Sequence, residues 1–285
     1  MKKILLPLAL LLPLTACSSA SGDADGELNI VASTQVWADV AEATLPGVEV
    51  HPIVLGDSDP HSFEPSAADM ARVETADIIL VGGGGYDSWL YDSLDGDERI
   101  ISAMDLEPHD HSHDHDHDHE TDNEHIWYSP EAVSEFAADL AEKVLEVSLD
   151  TRVTPDAVAT QMAELSSRIA TLPAARIAQT EPIADHLLAH SPMIESTPEG
   201  YRATTLSEGE PTAADVAAFH QVIADGGIDI LIYNPQSASP VATNIRDLAV
   251  EAGIPVVEIT ETPEVGAEFL DTFTTAVTDL EQAGS

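Results

Sequence analysis

Short β-branched runs alternate with amphipathic segments along almost the whole chain, and this alternation restricts the fold more than any other feature. Runs at 28–33, 48–55, 77–81 and 99–103 read as strands, with helical segments at 36–44, 65–75 and 86–94 between them. Such a succession builds parallel sheets with helices on both faces, because each crossover helix packs its apolar stripe back onto the sheet it left. Ser129-Pro130-Glu131 reads as a helix start, with Ser as N-cap, Pro in the first turn and an acid near the positive dipole end. Val133, Phe136, Ala137, Leu140 and Val144 then recur at helical spacing. A second long helical stretch runs from 155 to 172 and ends at Pro173. The alternation resumes with strands at 176–180, 229–233 and 256–259 and helices near 212–224, 241–252 and 265–281. The expected class is α/β in two lobes, each a parallel β-sheet flanked by helices. The first lobe covers 28–152, a connecting helix 153–173, and the second lobe 174–285. The roughly 260 residues beyond the N-terminal segment suffice for two lobes of about 100–130 each. No repeat is evident in the residues themselves.

The N-terminus reads as a targeting segment. Lys2 and Lys3 precede an apolar run from Ile4 to Leu14, and Leu14-Thr15-Ala16-Cys17 closes it with small residues before a cysteine. The run is too short to span about 30 Å of hydrocarbon, so 1–16 is expected to be a cleaved signal peptide. The pattern resembles a bacterial lipobox, which makes Cys17 the lipid attachment site; the plainer reading is a signal peptide with an incidental thiol. Cys17 is the single cysteine of the sequence, so no intrachain disulfide or thiolate metal site forms. The Ser/Gly/Asp-rich stretch 17–27 is a tether. No later segment is apolar enough to cross a membrane. The expected location is outside the cytoplasm, lipid-anchored to the outer face of the cell membrane.

Charge excludes several partners. Ten basic residues face 52 acidic ones, a formal net charge of −42, and loss of the signal peptide would remove two lysines and no acid. Nucleic acid is excluded, since its binding rests on Lys and Arg neutralising phosphates. Anionic lipid is excluded as a surface partner for the same reason. A hydrophobic content of 44% places the chain among folded proteins.

Residues 109–120 read HDHSHDHDHDHE, six histidines interleaved with acids. Imidazole suits Zn²⁺, Cu²⁺ and Ni²⁺, and the carboxylates raise the local concentration of divalent cations. No apolar residue lies between Asp110 and Asn123, so the tract is a solvated loop, placed at 109–124. A plain charged linker is the bland reading; metal capture is the functional one.

Four residues stand out as ligands for a tighter site. His61, in Asp59-Pro60-His61-Ser62-Phe63-Glu64-Pro65, follows the second strand, where open α/β sheets place ligands. Prolines on both sides stiffen its loop. His125 leaves the polar tract for an aromatic context just ahead of a helix start. Glu181 and Glu261 each follow a strand of the second lobe, and either alone would be unremarkable in so acidic a chain. Together the four would supply two imidazoles and two carboxylates across a cleft and neutralise a dication. His186 and His190 lie four apart and would share a helix face, reading as an exposed pair rather than a site. His51 falls on a strand and His220 on a helix. Residues 82–85 are four glycines without the Lys-Ser/Thr of a phosphate-binding loop, and so form a strand-end turn.

The segments DPHSFEPS (59–66), ADIILVGGGGYDSWL (76–90), EHIWYSPEAV (124–133), LIYNPQ (231–236) and AGIPVVEITET (252–262) together resemble the solute-binding proteins of zinc and manganese ABC importers. The resemblance covers essentially the chain beyond its N-terminal segment. It implies two α/β lobes joined by a long rigid helix, a metal buried between them, and small lobe movements on binding. His61 and His125 match the family's two first-lobe ligands. Glu181 matches the third, which is histidine in most zinc members and glutamate in manganese members. Glu261 matches the last acidic ligand, usually aspartate. His186 stands where an aromatic residue is common in the family and could stand in as a nitrogen ligand. The implied function is capture of Zn²⁺, with Mn²⁺ as the alternative, and delivery by a monomer to an ABC permease driven by a cytoplasmic ATPase, without catalysis. The His tract then serves as an accessory collector or sensor. Rival readings are a stand-alone extracellular metal buffer and a zinc hydrolase with an open coordination position.

Overall fold

A computed structural model describes residues 28–56, 63–94, 96–106 and 123–285. The expected signal peptide and tether, with Cys17, and also His61 and the histidines of the tract, lie outside the described residues.

The first lobe runs β1 (Ile30–Thr34), α1 (Gln35–Thr44), β2 (Val50–Val54), α2 (Ala67–Thr75), β3 (Ile78–Val81), α3 (Ser88–Tyr91) and β4 (Ile100–Ser102). Two helices follow, α4 (Pro130–Val147) and α5 (Pro155–Ile169). The second lobe runs β5 (Arg176–Gln179), α6 (Asp185–Leu188), β6 (Ile194–Glu195), α7 (Glu199–Leu206), α8 (Ala213–Ala224), β7 (Ile230–Tyr233), α9 (Pro240–Glu251), β8 (Val256–Glu258) and α10 (Phe269–Ala283). Each lobe holds a four-stranded parallel sheet, in the order β2-β1-β3-β4 and β6-β5-β7-β8. The two lobes thus share one strand order, a kinship that the residues themselves do not display. β1, β3 and β7 are buried along their whole length, as strands covered by helices on both faces must be.

Helix starts follow local chemistry. Ser66 caps α2 and Thr212 caps α8 through reciprocal capping boxes with Asp69 and Asp215. Ser129 accepts from the Ala132 amide ahead of Pro130, and Ser239 does the same for Ala242 ahead of Pro240. The expected helix at 86–94 shrinks to α3, because Gly83, Gly84 and Gly85 take φ of +79°, +63° and +100° and carry the chain through a left-handed turn first. β6 and α7 were not expected. α6 ends at Leu188, so His186 and His190 do not share a helix face: His186 is half-buried and His190 exposed.

Packing joins the lobes. α5 lies between the two sheets in the chain and packs on α4, α1 and α10. α10 leaves the second sheet and returns to α1, where the Phe269 amide donates to Asp39 Oδ2 at 2.7 Å. Arg168 on α5 pairs with Glu281 on α10 at 2.8 Å. One apolar core runs through Trp37, Phe136, Leu140, Met162, Phe269 and Phe273, and so belongs to both lobes. Trp37 and Phe136 stack with ring centres 4.4 Å apart.

Candidate metal centre

Parallel sheets present the carboxyl ends of their strands on one side, and in this molecule those ends converge. β5 delivers Glu181, β7 delivers Asn234 and β8 delivers Glu261, while the turn after β3 delivers Tyr86. His125 opens the 3₁₀ turn Ile126–Tyr128 that leads into α4. Ligand atoms of His125, Glu181 and Glu261 all lie within 4.8 Å of one another. His125 and Glu261 are buried and Glu181 nearly so. Donors around a four-coordinate zinc at about 2.0–2.2 Å stand about 3.4 Å apart, so closing by up to about 1.4 Å would let these three share an ion. One neutral imidazole and two carboxylates would cancel its double charge. His61 and Cys17 receive no placement among the described residues.

Hydrogen bonds orient every member of this group. Asn123 Nδ2 donates to the Pro182 carbonyl at 2.6 Å and to Asp185 Oδ2 at 2.8 Å. Its Oδ1 must therefore face His125, where it accepts from the backbone amide at 2.9 Å and meets Nδ1 at 2.8 Å. An amide oxygen cannot donate, so Nδ1 carries hydrogen and Nε2 is the nitrogen that could take a metal. Nε2 lies 3.3 Å from Glu181 Oε1. Asn234 Nδ2 donates to Glu181 Oε2 and to Glu261 Oε1, at 2.9 Å each. Ser237 also donates to Glu181 Oε2. Tyr86, from the first lobe, donates to Glu261 Oε2 at 2.8 Å. Gln236 Oε1 receives the amides of Glu261 and Thr262, which fixes the loop after β8.

Titration follows from these contacts. Burial pushes the His125 imidazole down, but the hydrogen bond and charge of Glu181 outweigh it, and its pKa ends above the ordinary value. Burial pushes Glu181 up, yet His125, Ser237 and Asn234 together hold it well below the carboxylate range. Burial, reinforced by Glu261, drives Tyr86 far up, so it remains a hydrogen donor. His186 is pushed down by burial and its Nε2 sits 2.7 Å from the Asn123 carbonyl; it stands outside the group.

Beside His125 and Glu181 opens a cavity of about 500 Å³, lined also by Glu124, Tyr201, Glu208 and Ser237. The supporting residues Asn123, Tyr86, Asn234 and Ser237 were not singled out from sequence. For Asn123 and Asn234 the available signal was position, two residues before a candidate histidine and directly after a strand; Tyr86 and Ser237 carried none.

Residues 30–283 match the family described as zinc-uptake complex component A, periplasmic. The zinc-binding lipoprotein AdcA of Streptococcus pneumoniae is 31% identical over 153 residues, 46% of this chain and 29% of that protein. The manganese ABC transporter substrate-binding lipoprotein scaA of Streptococcus gordonii is 26% identical over 158 residues, about half of each chain. The matches therefore span less than two thirds of these relatives' own length. In fold, the periplasmic zinc-binding protein TroA of Treponema pallidum superposes with a TM-score of 0.69 at 14% identity, over 91% of this chain and all of that one.

Proposed function

Since the chain belongs to the zinc-uptake complex component A family, a family of metal ABC transporter substrate-binding proteins, we propose that it captures one divalent cation, zinc first, between its lobes and surrenders it to an ABC permease driven by an ATPase. The observation that carries this reading is the meeting of His125, Glu181 and Glu261 within 4.8 Å on the carboxyl-end side of both sheets. We assign His61, which follows β2 in the sequence, as the fourth ligand. Imidazole nitrogen favours zinc, and the Irving–Williams order reinforces it even where two carboxylates would suit manganese. Manganese is the second reading, supported by the two acidic ligands.

Binding then proceeds by exchange. A cation arriving through the acidic cavity replaces the hydrogen between His125 Nε2 and Glu181 Oε1, and both side chains, already oriented by Asn123 and Asn234, turn to it. No reaction follows. The charge of the ion is neutralised in place, and the hydrogen-bonded frame around it changes little. The chain is held outside the cytoplasm by lipid on Cys17, and its His tract collects metal weakly beside the tight site.

Competitive titration of metal-free protein with Zn²⁺ and Mn²⁺, with and without residues 109–120, tests this. One tight zinc site that survives the deletion is expected, with weaker sites lost. Disappearance of all tight binding on deletion would transfer the function to the tract and sink the interlobe site.

A further inference from the structure

The two oxygens of Glu181 have different surroundings, and the difference bears on which cation fits. Oε2 receives two donors, the Asn234 side-chain amide at 2.9 Å and the Ser237 hydroxyl. A carboxylate oxygen has two lone-pair directions. Both are taken at Oε2, so that atom has no direction left for a metal. Oε1, on the His125 side, is then the one oxygen through which Glu181 binds. Asn234 is itself held, since its Oδ1 accepts from the Gln236 amide at 2.9 Å. Its second hydrogen goes to Glu261 Oε1, so a single amide fixes the spacing of both carboxylates.

A carboxylate that binds through one oxygen counts once in the coordination shell; one that chelates counts twice. Zinc is content with four ligands in a tetrahedron, whereas manganese favours oxygen-rich shells of six. We propose that Asn234 and Ser237 are selectivity determinants, which by occupying Oε2 restrict Glu181 to one coordinating oxygen and bias the site toward zinc over manganese. The inference rests on the metal-capture reading given above. Neither residue touches the cation; both act through Glu181 as positioning residues.

Ser237→Ala is the decisive variant, because Ser237 is only partly buried and, among the described residues, its hydroxyl is seen to hydrogen-bond Glu181. It opens one direction on Oε2 and permits chelation. Asn234→Ala opens the other. Full-length wild-type and variant proteins would be titrated with Zn²⁺ and Mn²⁺ against a chromophoric chelator, and their Co²⁺-loaded forms examined by visible absorption. In Ser237→Ala, zinc affinity should fall about tenfold, in line with the loss of an outer partner of a ligand, while manganese affinity holds or rises. The Co²⁺ band should weaken as the shell grows beyond four. An equal loss for both metals, with an unchanged Co²⁺ spectrum, would mean a merely structural role and overturn the inference. Should Asn234→Ala fold poorly, Ser237→Ala decides alone. Wild-type protein that binds no zinc in the same titration would refute the metal-capture reading instead.

Discussion

Asn123 and His125 are two residues apart, yet Asn123 ties His125 to the opposite lobe: its amide oxygen meets the imidazole Nδ1 at 2.8 Å while its amide nitrogen reaches Asp185 and the Pro182 carbonyl. Asp185 is in turn gripped by Arg202 through two hydrogen bonds of 3.0 and 2.8 Å. The orientation of the candidate ligand is thus set from the second lobe.

Asn123→Ala should therefore reduce zinc affinity about 10–100-fold, the usual effect of losing an outer partner of a ligating histidine. It also takes this donor from the carbonyl of buried Pro182, at about 1–3 kcal/mol. Competitive titration and urea unfolding of the same samples would measure both. Unchanged affinity with lowered stability would limit Asn123 to bracing the lobes.

The His125–Glu181 pair predicts a bounded pH window. Glu181, held low, contributes stability that is present above its ordinary value of 4.5 and lost as the pH falls through its depressed one. His125, held high, contributes stability that is present below its ordinary value of 6.5 and lost as the pH rises through its elevated one. The pair thus favours the metal-free fold most between those two ordinary values. Zinc must displace the His125 proton, so affinity should decline as the pH drops through the raised imidazole range. In Glu181→Gln, both the acid-side and the imidazole-side slopes of metal-free stability should flatten. Slopes equal to wild type would remove the pair as their source.

Asp39 gives a second, independent slope. Burial lifts its pKa to about 6, with Glu268 and Glu42 adding to it and the bonds from Gln35 and Phe269 opposing. A raised carboxyl favours the fold while protonated, so stability should fall as pH rises from about 4 through about 6. Asp39→Ala removes that slope and leaves the Phe269 amide without its acceptor, at about 1–3 kcal/mol. Unfolding curves across this range would reveal it, and a slope that persists in the variant would place its origin elsewhere.

Gly83→Ala should destabilise the protein. A Cβ at that position would lie 2.5 Å from both the Met104 carbonyl and the Ser102 hydroxyl, and φ is +79°. The clash and the left-handed backbone together cost about 1–3 kcal/mol or more. The same turn presents Tyr86 to Glu261, and buried Asp87 secures it by accepting the Gly82 and Gly83 amides at 2.6 and 3.0 Å. Thermal unfolding reads the first effect. A variant as stable as wild type would show that the turn relaxes.

What the sequence made legible was whatever carries a strong local signature. β3 is an unbroken apolar run, β1 opens on Ile-Val-Ala, and Ser129-Pro130 spells a helix start, so these elements stood out. β6 is two exposed residues, Ile194 and Glu195, defined by pairing with β5, and no pattern in the chain marks it. α7 buries only Tyr201 and so has almost no apolar face to read. At the site, Glu181 and Glu261 were visible because each ends a strand. Asn123, Asn234, Ser237 and Tyr86 were not, since a neutral donor becomes informative only when its acceptor, up to 175 positions away, is known.

The return of α10 to α1 has a practical consequence. Asp39 and Phe269 are 230 positions apart, and Phe269 and Phe273 lie against Tyr128 near the end of the first lobe's own sequence. A fragment cut at the connecting helix would therefore leave Trp37, Phe136 and Tyr128 bare on one side, and would associate or unfold rather than stand alone. The two sheets look like separate modules, but they share one interior, and neither lobe can be exchanged or borrowed without the other.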